Sequence, residues 1–229
     1  MLNVSDLFVS YGQSQALHGI TFSANRNETV AVMGRNGMGK TTLFRSLIGV
    51  LPLESGRVEV DGADVSKDES YRRVAKGIGY VPQGRMVFPT LTVEENIKTG
   101  MENAKTKIVP EDIYALFPVL FEMRRRKGGN LSGGQQQQLA IARALATNPK
   151  VLLLDEPTEG IQPSIIKDIE RVIRALSQRG DMAILLVEQY FDFARELADQ
   201  FVVLRRGEIV RRGGREEMNA DALRSLLIV

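Results

Sequence analysis

The 229-residue chain contains no cysteine and a single histidine, His18. The first absence removes disulfide frameworks, thiolate zinc sites and cysteine nucleophiles. The second leaves no multi-histidine metal cage and would force any Ser-His-Asp site onto His18. No apolar run approaches the ~20 residues that a membrane-crossing helix needs. The opening residues 1–6 lack the basic and apolar regions of a secretory signal. Nor does one charge dominate: 30 Lys+Arg stand against 28 Asp+Glu, a formal net charge of +2. Bulk electrostatics therefore gives no argument for nucleic acid. We expect a cytoplasmic chain that reaches a membrane only by docking to something that spans it.

Hydrophobic residues make up 43% of the chain and charged residues 25%, ordinary values for a globular protein. The length suits one α/β domain with an inserted lobe. Short apolar runs recur at Val30–Met33, Ile78–Val81, Val151–Leu154, Ala183–Val187 and Phe201–Leu204. They are continuous rather than alternating, which predicts strands buried on both faces of a parallel sheet. Ile165, Ile166, Ile169, Val172, Ile173 and Leu176 share one helical face, with Pro163 near the start and Gly180 past the end. Strand–helix alternation places ligands at the carboxyl ends of the strands. Residues 84–130 hold no buried strand; helical patterns at Val93–Ile97 and Ile113–Met123 predict an inserted helical lobe. Near the end, Phe201–Leu204 and Glu208–Val210 flank Arg205-Arg206-Gly207 and read as a hairpin.

The strongest motif is Gly34-Arg35-Asn36-Gly37-Met38-Gly39-Lys40-Thr41, which fits G-x-x-x-x-G-K-[ST] between a strand and a helical pattern. Its glycines let backbone N–H groups turn toward phosphate oxygens, and the following helix adds the positive end of its dipole. Lys40 is placed to reach the β- and γ-phosphates and Thr41 to ligate Mg²⁺. A plain glycine-rich turn is the competing explanation, and the strand–loop–helix setting weighs against it. The run Val151–Leu154 ends in Asp155 and Glu156. Asp155 is positioned to hold Mg²⁺ and Glu156 to polarise an attacking water.

Leu131-Ser132-Gly133-Gly134-Gln135, following Lys40 and preceding Asp155 and Glu156, resembles the signature motif of ABC transporter ATP-binding subunits. The same five residues also read as a helix N-terminus capped by Ser132, which is compatible with binding a γ-phosphate. The resemblance covers nearly the whole chain. It implies a RecA-like P-loop NTPase core with a mainly parallel sheet and an N-terminal antiparallel β subdomain. Residues 1–83 and 131–229 would form that core and 84–130 the helical lobe. It also implies ATP-contacting roles for Tyr11 (beneath adenine), for Gly34 to Thr41 with Thr42, and for Ser132, Gly133, Gly134 and Gln135. Gln83 matches the glutamine that touches Mg²⁺ and links core to lobe. The family works as a head-to-tail dimer in which each ATP lies between one subunit's phosphate loop and the other's signature motif. A second ATPase subunit, two transmembrane permease subunits and, indirectly, a solute-binding protein are therefore implied, at the cytoplasmic face of the inner membrane.

Two positions depart from the family pattern. Gln189, in Leu186-Val-Glu-Gln189, stands where a switch histidine is usual, and Gln162 stands where an aspartate is usual. An amide donates a hydrogen bond but carries no proton or charge in exchange. Both changes leave the nucleotide-binding motifs intact and bear on hydrolysis. The segment 79–96, with Leu186–Gln189, resembles the second ATPase of branched-chain amino acid uptake systems. Gln135–Gln138 with Leu139–Arg143, Glu159–Ser164 and Arg179–Gln189 look closest to the ATPase of urea transporters. Urea is accordingly the expected solute, with branched-chain amino acids as the alternative. A soluble ABC-type ATPase acting on nucleic acid is disfavoured: there is one module, no sustained heptad, and the basic clusters at 124–127 and 205–215 read as solvated faces.

Overall fold

The computed structural model describes residues 1–102, 104 and 106–219; residues 220–229 of the expected single domain lie outside them. The chain runs through β1 (Leu2–Tyr11), β2 (Ser14–Ala24), β3 (Thr29–Met33), α1 (Lys40–Leu47), β4 (Ser55–Val60), β5 (Ala63–Asp64), α2 (Ser70–Ala75) and β6 (Ile78–Val81). It continues with α3 (Val93–Thr99), α4 (Glu111–Leu116), α5 (Pro118–Glu122), α6 (Gly133–Leu145), β7 (Val151–Asp155), α7 (Pro163–Arg179), β8 (Ala183–Glu188), α8 (Phe191–Leu197), β9 (Gln200–Arg205) and β10 (Glu208–Gly214). The main sheet has the order β10-β9-β3-β8-β7-β6 and is parallel except for the β9–β10 hairpin. A second, antiparallel sheet has the order β2-β1-β4-β5. The expected α/β core, antiparallel subdomain and helical insertion are all present.

The continuous apolar runs become strands buried on both faces because each divides its residues between two cores. On β7 and β8, Leu152, Leu154, Ile184 and Leu186 face α6, α7 and the helical insertion. Val151, Leu153, Leu185 and Val187 face α1 and the antiparallel sheet. That is the period-2 alternation of a strand with apolar layers on both sides. The insertion shares the first of these cores: Val93, Ile97, Ile113, Phe117 and Leu120 pack in one cluster with Leu139 and Ile141 of α6. The single helical pattern expected over Ile113–Met123 is two helices. Pro118 restricts the residue before it, and Phe117 takes φ −130°, ψ 71°, ending α4 and starting α5.

One buried cation holds the far end of the phosphate-loop helix. Arg73, 2% exposed, donates to the carbonyls of Ser46 and Leu47 at the end of α1 and to those of Ser66 and Asp68. Helix-end carbonyls lack intrahelical partners, and a guanidinium fork suits several at once. Burial pushes its pKa below the ordinary arginine value. We predict that Arg73→Ala costs at least about 2 kcal/mol, since four carbonyls each lose a charged donor, and that Arg73→Lys recovers only a minor part. Urea unfolding of the three proteins checks both.

Candidate active site

The loops that leave β3, β6, β7 and β8 meet at the carboxyl ends of adjacent strands, where α/β sheets bind ligands. The loop after β3 is shaped by glycine. Gly34, Gly37 and Gly39 have φ of +152°, +77° and +105°. A Cβ at Gly34 would stand 2.5 Å from the Leu204 carbonyl oxygen, and one at Gly39 would stand 2.9 Å from the Leu17 side chain. The loop is stapled to the β9–β10 turn: Gly207 N–H donates to the Met38 carbonyl at 3.1 Å, and Arg206 N–H donates to the Met38 sulfur at 3.3 Å. Arg35, Asn36 and Gly37 are exposed, leaving the tip open to a ligand.

Lys40 opens α1 and is buried at 4% exposure. Its Nζ donates to the carbonyls of Gly34 (2.7 Å) and Arg35 (3.1 Å) and lies 3.7 Å from Glu156 Oε1. Burial lowers its pKa, and Glu156 and Asp155 act against that shift. Thr41 and Thr42 follow, half-buried. Tyr11 is 47% exposed, with its hydroxyl 3.4 Å from Thr42 Oγ1. It stands beside the loop, half open to solvent.

Glu156 is the meeting point. It follows β7 in the left-handed region, φ +49°, a conformation costly for a side-chain-bearing residue. Its N–H donates to the Val187 carbonyl at 2.9 Å, which fixes the turn against β8. Its carboxylate accepts from Gln189 Nε2 at 2.7 Å and from Gln83 Nε2 at 3.3 Å. Thus Lys40, Gln83, Glu156 and Gln189, far apart in sequence, are brought together.

Asp155 is 1% exposed. Its Oδ2 accepts from the Tyr80 hydroxyl at 3.1 Å, while Oδ1 is buried without a hydrogen-bond partner. Thr41, Gln83 and Asp155 line one cleft of 780 Å³. They offer a hydroxyl, an amide and an orphaned carboxylate oxygen, hard donors that suit Mg²⁺. No group of three His, Cys, Asp or Glu among the described residues could hold a metal alone. A cation here would need phosphate oxygens to complete its shell, so these residues fit MgATP better than free Mg²⁺.

The signature segment stands apart. Ser132 caps α6 in a capping box: its Oγ accepts from Gln135 N–H at 3.3 Å, and its own N–H donates to Gln135 Oε1 at 3.0 Å. Gly133 and Gly134 open the helix, and a Cβ at Gly134 would come 2.7 Å from Ile165 of α7. Among the described residues no hydrogen bond joins this segment to the phosphate loop. Gln162 stands at the N-cap position of α7 without a side-chain capping hydrogen bond, and Pro163 opens the helix.

Sequence reading passed over Tyr80, Arg85 and Glu159. Glu159 accepts from Gln83 Nε2 at 2.9 Å, and Arg85 donates to the carbonyls of Glu159 (3.3 Å) and Gly160 (3.4 Å). They join the loop after β6 to the loop after β7. The left-handed φ of Arg85 (+67°) and Met86 (+47°) gives no sequence signal, since neither is glycine. Tyr80 was detectable only as the one polar tip in an otherwise apolar strand.

The Asp155 carboxyl is pushed up to about 6 from 3.8, first by burial and then by the nearby Glu156 charge, against the Tyr80 hydrogen bond. A raised acid favours the protonated folded form. Its stabilisation is full below the ordinary carboxylate value and is lost as pH rises through about 6. Asp155→Asn should therefore stabilise the metal-free, nucleotide-free protein at pH 7.5, on the order of 2–3 kcal/mol, and by much less at pH 4.5. Thermal unfolding of both proteins in chelator at the two pH values checks it.

Residues 17–159 match the family described as ABC transporter. The chain is 39% identical over 213 residues to the high-affinity branched-chain amino acid transport ATP-binding protein BraG of Pseudomonas aeruginosa, covering 92% of this chain and 91% of BraG. An Archaeoglobus fulgidus protein named "Probable branched-chain amino acid transport ATP-binding protein LivF" is 36% identical, over 95% of this chain and 94% of its own. The lipopolysaccharide export system ATP-binding protein LptB of Haemophilus influenzae is 33% identical, over 96% and 93%. Among solved structures, a dimeric post-hydrolysis ATP-binding cassette bound to ADP and Pi superposes with a TM-score of 0.83 at 25% identity, covering 94% of this chain and 99% of that one. The match to the phosphate loop and signature regions, the near-complete coverage of these relatives and the shared fold place this chain in the ABC transporter family, as one of its ATP-binding, ATP-hydrolysing subunits.

Proposed function

We propose that the chain is the energy-coupling ATPase of an importer whose solutes are branched-chain amino acids. The observation that carries the hydrolytic half is the Glu156 carboxylate, set between Lys40, Gln83 and Gln189 at the strand ends. Phosphate oxygens entering the loop take over the Lys40 ammonium from the Gly34 and Arg35 carbonyls. Glu156 then orients the attacking water and receives its proton, and the Gln189 amide donates toward the charge that develops on the transferred phosphate. Tyr11 carries adenine. Thr41, Gln83 and Asp155 would hold Mg²⁺, which supplies charge neutralisation on the phosphates when bound. Leu131–Gln135 serves the ATP of a second subunit in a head-to-tail dimer. Gln189 supports a heterodimer, because a partner with histidine there would supply what this chain lacks.

The names of BraG and LivF support branched-chain amino acids; urea rests on the sequence segments alone. BraG is also more similar to this chain than the export protein LptB, at 39% against 33%. Among the described residues no helix is long and apolar enough to cross a membrane. Attachment to two permease subunits at the cytoplasmic face, with a solute-binding protein beyond them, supplies that role.

The cleft that holds Asp155 and Gln83 continues to Met86 and Phe88, 64% and 47% exposed. Val87 is instead packed against the core. Buried Asn96 fixes this loop: it accepts from Phe88 N–H at 2.8 Å and donates to the carbonyls of Phe88, Leu91 and Thr92. The Arg143 guanidinium lies 5.4 Å from the Phe88 ring centroid and donates to the Met86 carbonyl. Two apolar side chains held outward by a rigid frame suit the end of a permease helix.

Cells carrying the complete transporter should take up labelled leucine. Glu156→Gln should reduce uptake and ATP turnover by about 10²–10³-fold while ATP binding persists. Uptake of labelled urea with no uptake of leucine would overturn the solute class. Phe88→Ala should lower transport-coupled ATPase activity and membrane association and leave ATP affinity unchanged; co-sedimentation with permease-containing membranes measures it.

A further inference from the structure

Glu188 is the last residue of β8, a strand otherwise made of Ala183 to Val187, all apolar. Its side chain is 3% exposed. Oε1 accepts from the Thr158 backbone N–H at 3.2 Å and from Thr158 Oγ1 at 2.6 Å. Oε2 accepts from the N–H groups of Gln189 at 3.0 Å and Tyr190 at 3.2 Å. None of these donors is a cation, so among the described residues the carboxylate has no ion pair in contact. Burial raises its pKa, and the four hydrogen bonds act in the opposite sense. A charge is a costly way to end a buried strand, and packing alone would be served by another valine.

The carboxylate divides its two oxygens between two loops. One oxygen holds the loop that begins at Glu156; the other holds the loop that begins at Gln189. The Gln189–Glu156 hydrogen bond at 2.7 Å bridges those same loops above it. We propose that Glu188 is a positioning residue for ATP hydrolysis, clamping both loops so that the Gln189 amide stands against the Glu156 carboxylate. It acts through these residues and needs no contact with nucleotide. The inference rests on the reading of Glu156 and Gln189 as the hydrolytic pair. Glu188→Gln retains shape but replaces one acceptor with an amide N–H₂, which faces N–H donors that then lack a partner.

The test is steady-state ATP hydrolysis by the full chain in its assembled complex. Glu188→Gln should lower kcat by about 10–100-fold, the scale of a small misplacement of reacting groups, with KM for MgATP unchanged. Glu188→Asp should recover part of the loss. In a Gln189→Ala background the Glu188→Gln change should add little, because both act through one contact. An unchanged kcat, a loss confined to KM, or an equal loss in the Gln189→Ala background overturns the inference. If thermal melting shows that Glu188→Gln does not fold, Thr158→Val, which removes one hydroxyl donor, reads the same split between kcat and KM under the same criteria. Glu156→Gln is measured in parallel. Normal turnover there overturns the catalytic reading and this inference together; slow turnover there with normal Glu188→Gln overturns this inference alone.

Discussion

The buried contact between Lys40 and Glu156 governs the site. Both side chains are under a tenth exposed, and their charged atoms lie 3.7 Å apart. Neither charge would be tolerable there alone. The ammonium sits on two loop carbonyls and the carboxylate on two glutamine amides, so each ion has hydrogen bonds besides its partner. On the proposed reading, a phosphate group, a multiply charged acceptor among N–H donors, would compete with Glu156 for Lys40. Its arrival would free the carboxylate for water without leaving the ammonium uncompensated. The pair is thus suited to exchange with phosphate.

That pair exists only because strands β3 and β7 end at one level with β8 between them, and their register follows from the core. Met33 pairs with Glu188, and Asp155 pairs with Val187. A slip of one residue on β7 would turn Leu152 and Leu154 out of one apolar layer into the other. Arg73 performs the matching task at the other end of α1 by tying its last carbonyls to the segment between β5 and α2. The phosphate loop is therefore braced along its helix, across the sheet and at the Arg206-Gly207 turn.

The parts legible in the sequence are those where chemistry and spacing coincide locally. The glycine-rich loop, the Val151–Glu156 strand end, the α7 stripe and the β9–β10 hairpin all follow from neighbours within a few positions. The contacts that join distant loops were not legible. Nothing near Gln83 marks Glu159 as its partner, and nothing in Val187-Glu188-Gln189 says that the middle residue faces inward with both oxygens occupied. The helix break at Phe117 was available from Pro118, but the apolar spacing from Ile113 to Met123 outweighed it.

On the head-to-tail reading, the separation of the two halves of the site has a chemical consequence. Ser132 and Gln135 satisfy each other in the capping box, so the signature segment is an ordered helix start before any partner arrives. It can accept a phosphate with little further ordering cost. Gln189 is likewise already bound to Glu156, and its amide stays neutral throughout. A switch histidine beside a carboxylate could hold a proton and stabilise the transition-state charge as a cation; an amide can only donate a dipole. The half-site formed by Lys40, Glu156 and Gln189 is therefore ordered like a catalytic site but electrostatically weaker than one with histidine. On that reading the turnover of this half-site rests the more on Glu156, the one group there that can take the proton of the attacking water.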